Sequence, residues 1–341
     1  MATLTITDQL TSLEVAKRSG VSPDSRRIIE ELTAYNELLL DAPLVEANEG
    51  TIDTHLVRTA IPHGQHRAYN EGVGQGSSQT KTIQDVISNI EIYSEVDKQL
   101  VDEAAHPTEL MQSEQNAFIE GLSQDITDDL IYGNHNDDPR YTNGLATRLN
   151  STNSGNSKYC VSMGGSASGS MTSVYLIKWG MDKARIIYPR GSKNAGVEYN
   201  YLGEQTAIDS SGNKHQVYRA HYRVARGLSV GHSASIIRIC NINPATSNIG
   251  KLVAEKIVQL MPRLARGAGT VSIACNAEMK GLFNVAALGL TNIILPSEDP
   301  WGNEVLKIGN ARFRECPSIL MTEATVSSLK EEQHYADFTL G

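Results

Sequence analysis

Gly72-Val73-Gly74-Gln75-Gly76-Ser77 has the start of a glycine-rich phosphate cradle, in which backbone N–H groups approach a pyrophosphate because no Cβ intervenes. Ser77 stands where the third glycine belongs, and no strand-to-helix pattern surrounds the stretch, so it reads as a flexible tip. Gly165-Ser166-Ala167-Ser168-Gly169 has the outline of a nucleophile elbow with Ala167 at the position that must carry the nucleophile. It reads as a loop. His63 and His66, with His55 nearby, could hold a metal if folded together, but no Cys or carboxylate stands at ligand spacing. Asp137-Asp138 and Glu298-Asp299 could serve as acid and base in a cleft, yet side by side in sequence they read as solvated turn charges. Tyr218-Arg219 and Tyr222-Arg223 could stack on bases; in a strand, however, Tyr218 and Tyr222 share one face and read as sheet packing. The chain is therefore expected to use no metal and no cofactor, and not to be an enzyme.

Bulk properties narrow the classes further. A net charge of -9 and a pI near 5.5 are wrong for a surface built to neutralise nucleic-acid phosphates. Cys160, Cys240, Cys275 and Cys316 are far apart, which fits neither a zinc site nor a disulfide scaffold, and they read as reduced, buried thiols. No basic segment followed by an apolar run opens the chain, and no stretch is long enough for a membrane span. A cytoplasmically made protein without a membrane partner is expected.

The elements follow from periodicity. Leu10, Leu13 and Ala16 end at Gly20, and Ser22-Pro23 opens a second helical run through Ile28, Leu32 and Leu39. Two extended segments follow, Ile52 to Pro62 and Thr82 to Val96, with Val86, Ile90, Ile92 and Val96 at period two. They predict a long hairpin with a soft tip from Asn70 to Ser78. Two strands alone are marginal in water, so such a hairpin needs its own domain or a neighbouring molecule to lie on.

Pro107 opens the strongest helix, with Leu110, Phe118, Leu122, Ile126 and Leu130 as its stripe and Gly133 at its end; it would span roughly 36 Å. Asp125, Asp128 and Asp129 crowd the negative end of its dipole and are expected on a solvated face. Strand signals at 174–177, 184–188, 216–223 and 235–239 predict a small antiparallel sheet, with a hairpin turn at Asp209 to Asn213. Beyond it come a helix from about Ser247, the buried-type strand Thr270 to Ala274, and a helix capped by Asn276, with strands at 293–295, 305–308 and 319–321. The class is α+β.

This order of elements resembles the tailed-phage capsid fold named for phage Hong Kong 97, the HK97-like fold. More narrowly, Ala16-Lys17-Arg18 through Asn36-Glu37, Leu44 to Asn48 and Ile90-Glu91-Ile92-Tyr93-Ser94-Glu95-Val96-Asp97-Lys98 resemble short-tailed-phage major capsid proteins of the epsilon-fifteen and Bordetella-phage kind. Ala117 to Leu122, Ile131-Tyr132-Gly133-Asn134, Tyr188 to Lys193 and Arg219-Ala220-His221-Tyr222 continue the similarity over almost the whole chain.

The resemblance implies an N-terminal helical arm at 1–50, an E-loop hairpin at 51–101, and a P-domain at 102–243 carrying the spine helix 107–131 and the sheet. An A-domain at 244–325 and a C-terminal tail at 326–341 complete it. The A-domain following the P-domain sheet is a rearranged topology. The implied function is a major capsid protein self-assembling, as hexamers and pentamers, into the icosahedral shell around the genome of a tailed double-stranded DNA phage. Implied partners are further copies of itself, a portal, and scaffold and decoration proteins, with DNA enclosed without sequence-specific binding.

In this reading Asn70, Gly72, Gly74, Gly76 and Lys81 form the assembly tip, while Leu110, Phe118, Leu122 and Ile126 form the spine-helix core. Some relatives join an E-loop lysine to a neighbour's Asn; Lys81 is the lysine near this tip, with no partner identified. The competing readings are an encapsulin-type nanocompartment shell and, from another class, a hydrolase around Ser166 and Ser168.

Overall fold

The structure, a computed structural model, describes residues 37–104, 106–152, 158–191, 198–208, 212–287, 294–298 and 304–326. The first N-terminal helix pattern and nearly all of the second lie outside these residues; Glu37–Leu40 is a 3-10 turn. In chain order the strands and helices begin with β1 (Leu44–Glu46), β2 (Ile52–Ala60), β3 (Gln79–Val86), β4 (Ser88–Asp97), α1 (Lys98–Glu103), α2 (Pro107–Tyr132) and α3 (Leu145–Arg148). Then come β5 (Cys160–Ser162), β6 (Thr172–Trp179), β7 (Ala184–Tyr188), β8 (Glu198–Ile208), β9 (Lys214–Val230) and β10 (Ile236–Ile242). The last third holds α4 (Ile249–Leu260), β11 (Thr270–Cys275), α5 (Ala277–Ala287), β12 (Ile294–Glu298), β13 (Glu304–Ile308) and β14 (Ala311–Glu315). The described residues pack as two units, one holding 89–126 and 198–225, the other 37–88, 127–191 and 226–326.

In the first unit, β9 lies between β8 and β4, antiparallel to β8 in a register running from Glu198↔Arg223 to Ile208↔Lys214. Alternation along β9 sorts its side chains. Tyr222 is fully buried, its ring stacked on Phe118 of α2 at 5.5 Å and tilted against Tyr199 at 5.2 Å. The intervening Arg219, His221 and Arg223 face the acids of β4: Arg219 pairs with Glu95, His221 lies 3.1 Å from Glu91, and Arg223 3.3 Å from Glu91. Tyr-Arg alternation is thus a sheet with one packed and one ion-paired face. Leu110 of α2 closes a small cluster with Val96 and Val101.

The second unit is built around β6. Val174, Tyr175, Leu176 and Ile177 are all fully buried, because both faces of this strand are covered; hence an unbroken apolar run instead of alternation. Antiparallel β10 and β11 flank it. One face receives α4 and α5 through Val253, Ile257, Met279 and Phe283, with Phe283 and Phe313 ring centroids 4.8 Å apart. Gly250 makes that helix pair possible, since a Cβ there would sit 2.4 Å from the Leu282 carbonyl oxygen.

The sheet is mixed where an antiparallel one was expected: β1 runs parallel to β7, β5 to β10 and β11 to β14. Hairpin signals reveal only strands adjacent in sequence, whereas parallel pairs are joined by long crossovers that leave no local mark. The stretch just before residue 326 is pinned by a buried ion pair, with Arg238 Nη2 3.0 Å from Glu323 Oε2 and the Tyr132 hydroxyl donating to Glu323 Oε1 at 2.7 Å. At the other end Asp41 accepts two hydrogen bonds from Arg314 and one from Ser272, and burial, which would push its carboxyl up, is outweighed so that it lies below the usual range.

Candidate assembly surface

β2 and β3 form a separate two-stranded antiparallel ribbon in register from Ile52↔Val86 to Ala60↔Gln79. The return arm read from the sequence as one strand from Thr82 to Val96 is two strands. Ile87 and Ser88 are both buried, which breaks the alternation and hands the chain from the ribbon to β4; Ile92, expected on the buried face, is 40% exposed.

Beyond the ribbon every residue from 61 to 78 is exposed, Tyr69 completely so, with Ile61 and Val73 the other large hydrophobic side chains among them. Asn70, at φ 65°, turns the chain between Ala68 and Glu71, whose backbone groups hydrogen-bond. Gly72, Gly74 and Gly76 lie in this open stretch, and Lys81 sits on the ribbon opposite Val57. His63 and His66 are exposed tip residues, and no metal-ligand group forms among the described residues. Ser166 and Ser168 lie on an exposed turn.

The ribbon's root was not foreseen. Asp53 and Asp85, directly opposite each other in the register, are 3% and 1% exposed. Arg185 of β7 donates to Asp53 at 2.6 Å, and the Ser229 hydroxyl donates to the same oxygen at 2.7 Å. Burial pushes the Asp53 carboxyl up, but these two bonds and the Arg185 charge outweigh it and hold it below the usual carboxylate range.

Arg148 of α3 donates to Asp85 at 2.7 Å and also to the Asn143 and Leu228 carbonyls, while the Val230 N–H donates to the other Asp85 oxygen at 3.1 Å. His55 Nε2 is 3.0 Å from the Val230 carbonyl, which can only accept, so Nε2 carries a proton. Its buried Nδ1 has no hydrogen-bond partner and lies 4.0 Å from Asp85. A signal existed in the sequence: Asp85 falls between Ile83 and Ile87 at the parity of buried positions, where an unpaired carboxylate would be costly.

Next to the root, the C-terminal turn of α2 carries Asp129, only 7% exposed, where a solvated face was expected. Burial raises its carboxyl to about 6 despite hydrogen bonds from Ser88 and the Thr142 N–H. Asp125 and Asp128 are exposed. On the same helix Leu110, Leu122 and Ile126 are buried, whereas Phe118 is only partly buried. All four cysteines are buried thiols.

A two-stranded ribbon, a long helix and a mixed sheet backed by two helices are the parts of the HK97-like fold. The solved capsid of bacteriophage Epsilon15 has this arrangement: it superimposes with a TM-score of 0.69 at 24% identity, covering 96% of this chain and all of that one. The bacteriophage JBD30 capsid (TM-score 0.48, 10% identity, 85% and 93% coverage) and an encapsulin of Synechococcus elongatus PCC 7942 (0.45, 11%, 70% and 98%) are more distant. A comparison with curated protein sequences gave no match. The family described as major capsid protein GP7 matches residues 22–327, and the chain belongs to that family. It is a major capsid protein of the tailed-phage kind, a subunit of a virion shell.

Proposed function

We propose that copies of this subunit join as hexamers and pentamers into a closed icosahedral shell around a phage's double-stranded DNA, with the tip around Asn70, Gly72, Gly74, Gly76 and Lys81 lying on a neighbouring copy. In this reading the chain performs no catalysis, is made and assembled in the host cytoplasm, meets a portal, scaffold and decoration proteins, and encloses DNA without reading its sequence. An acidic chain suits a container that must not adhere to its cargo. The five segments assigned above by resemblance are the parts of that shell.

The observation that carries the proposal is the exposed tip. Ile61, Tyr69 and Val73 stand on a stretch from 61 to 78 that none of the described residues covers. Apolar side chains presented on so extended a projection mark a contact surface.

The test is to replace residues 61 to 78 with a two-residue Asn-Gly turn, which removes Ile61, Tyr69 and Val73 and joins the Ala60↔Gln79 pair directly. Loop-closure cost varies slowly with length, so the subunit should fold with a near-normal melting temperature. A shell repeats each contact many times, and about 1 kcal/mol lost per contact shifts assembly strongly. Few or unstable particles by electron microscopy are expected. Normal shells would make the tip a dispensable loop, and global unfolding would make it part of the subunit core.

A further inference from the structure

We propose that Arg148 and Arg185 are positioning residues that aim the β2–β3 ribbon, acting as a two-point ionic clamp on its paired carboxylates. The inference rests on the assembly role above and goes beyond it to the device that sets the ribbon's direction.

Asp53 and Asp85 face each other across the ribbon, an arrangement of like charges that opposes pairing of the bare strands. Pairing at the root is therefore favourable only where cations neutralise both. The two cations come from separate elements and grip separate strands: Arg185 on β7 holds β2 through Asp53, and Arg148 on α3 holds β3 through Asp85. One grip would leave a pivot; two, on opposite strands, also fix rotation about the ribbon axis.

Their backing is rigid. Leu228, Ser229 and Val230 on β9 supply a carbonyl to Arg148, a hydroxyl to Asp53, and an N–H to Asp85 and a carbonyl to His55. Thr142 adds a hydroxyl bond to the Val86 carbonyl at 2.8 Å. Charged hydrogen bonds with defined geometry orient a strand in a way that apolar contact, which has no preferred direction, does not.

The lever is long. From Asp53 to Ala60 the ribbon extends roughly 23 Å at about 3.3 Å per residue, so a rotation of ~10° at the root moves its far end by ~4 Å. A displacement of that size exceeds what a packed contact tolerates. The clamp thereby converts local charge pairing into the placement of a distant contact.

The experiment compares the wild-type chain with the pair-neutral variant Asp85→Asn/Arg148→Gln, which removes both charges and leaves neither buried alone, and with Arg148→Lys, which keeps the cation. Three readouts are taken: thermal unfolding of the unassembled subunit, hydrogen exchange of the ribbon amides from 54 to 58 and from 80 to 84, and the number and diameter of particles by electron microscopy. For the pair-neutral variant the expectation is a cooperatively folded subunit, ribbon exchange at least tenfold faster, and at least tenfold fewer closed particles with a broadened spread of diameters. Arg148→Lys should restore wild-type diameters at reduced yield.

Particles of wild-type number and diameter from the pair-neutral variant would overturn the proposal, as would an Arg148→Lys chain that assembles no better than the pair-neutral one. Global unfolding of the pair-neutral variant would also overturn it, showing the clamp to be core structure. If the wild-type chain forms no shells, the assembly role fails by itself, while unchanged ribbon exchange in the variant would refute the clamp independently.

Discussion

Asp129→Asn should make the subunit more stable at neutral pH, because the native fold holds this carboxylate where it is poorly solvated. Its side chain sits in the C-terminal turn of α2, at the negative end of the helix dipole, and burial raises its pKa from 3.8 to about 6. A folded-state value above the unfolded one means that the native state binds the proton more tightly. The penalty is therefore absent below about pH 4, grows between pH 4 and 6, and is complete above that. A shift of roughly two units corresponds to about 3 kcal/mol.

Asn keeps an oxygen for the Ser88 hydroxyl and the Thr142 N–H without the charge. Allowing for imperfect amide geometry, the gain should be about 2–3 kcal/mol at pH 8 and near zero at pH 4. Urea unfolding of the unassembled subunit at several pH values, read as the difference between variant and wild type, isolates this group from the other carboxylates. A variant less stable than wild type at pH 8, and by more than at pH 4, would refute the reasoning, since the ionised carboxylate would then be what Ser88 and Thr142 require.

The spine helix separates two substitutions: Leu122→Ala, at a fully buried site, should cost about 2–5 kcal/mol, whereas Phe118→Ala, partly exposed and stacked on Tyr222, should cost about 1–3 kcal/mol and stay soluble, both read from denaturant midpoints. Glu323→Gln strips the buried Arg238 guanidinium of its carboxylate and should destabilise the subunit by about 3–5 kcal/mol in the same assay, with the last described residues becoming sensitive to limited proteolysis. Cys160, Cys240, Cys275 and Cys316 are at most 1% exposed, so a thiol reagent should leave the native subunit unmodified and label all four only after denaturation; fast labelling of native protein would contradict their burial.

What the sequence disclosed depended on whether the physics was local. The spine helix was legible almost to the residue, from Pro107 at its start to Gly133 past its end. Its helical period and punctuation are local, and Gly133 proves obligatory, with an added Cβ falling 2.2 Å from Asp129 Oδ1. β7 was legible for the same reason. The mixed pairing of the sheet was not, because nothing in Leu44-Val45-Glu46 announces a parallel neighbour at Ile186-Ile187-Tyr188. Nor was the fate of individual charges. Asp125, Asp128 and Asp129 share composition and neighbourhood, yet only the third is turned into the protein, because helix phase and the arrival of Ser88 and Thr142 decide it. The soft tip was visible in its glycines, but the clamp at its root joins residues 53, 85, 148 and 185, and long-range charge pairing leaves no period to read.

That contrast bears on how such a subunit can join others of its kind without adhering to other chains. A ribbon fastened by apolar packing would need an apolar root and an apolar socket, both liable to meet other chains during folding. Fastening it through Asp53, Asp85, Arg148 and Arg185 uses charged groups that water solvates well in the unfolded chain. In the proposed assembly the tip reverses this logic: its glycines leave the backbone without a preferred shape, so ordering it on a neighbouring copy would carry an entropic cost set against what Tyr69, Ile61 and Val73 would gain. Each contact is then weak. Weak contacts repeated through a closed shell remain reversible while it grows and become collectively stable once it closes.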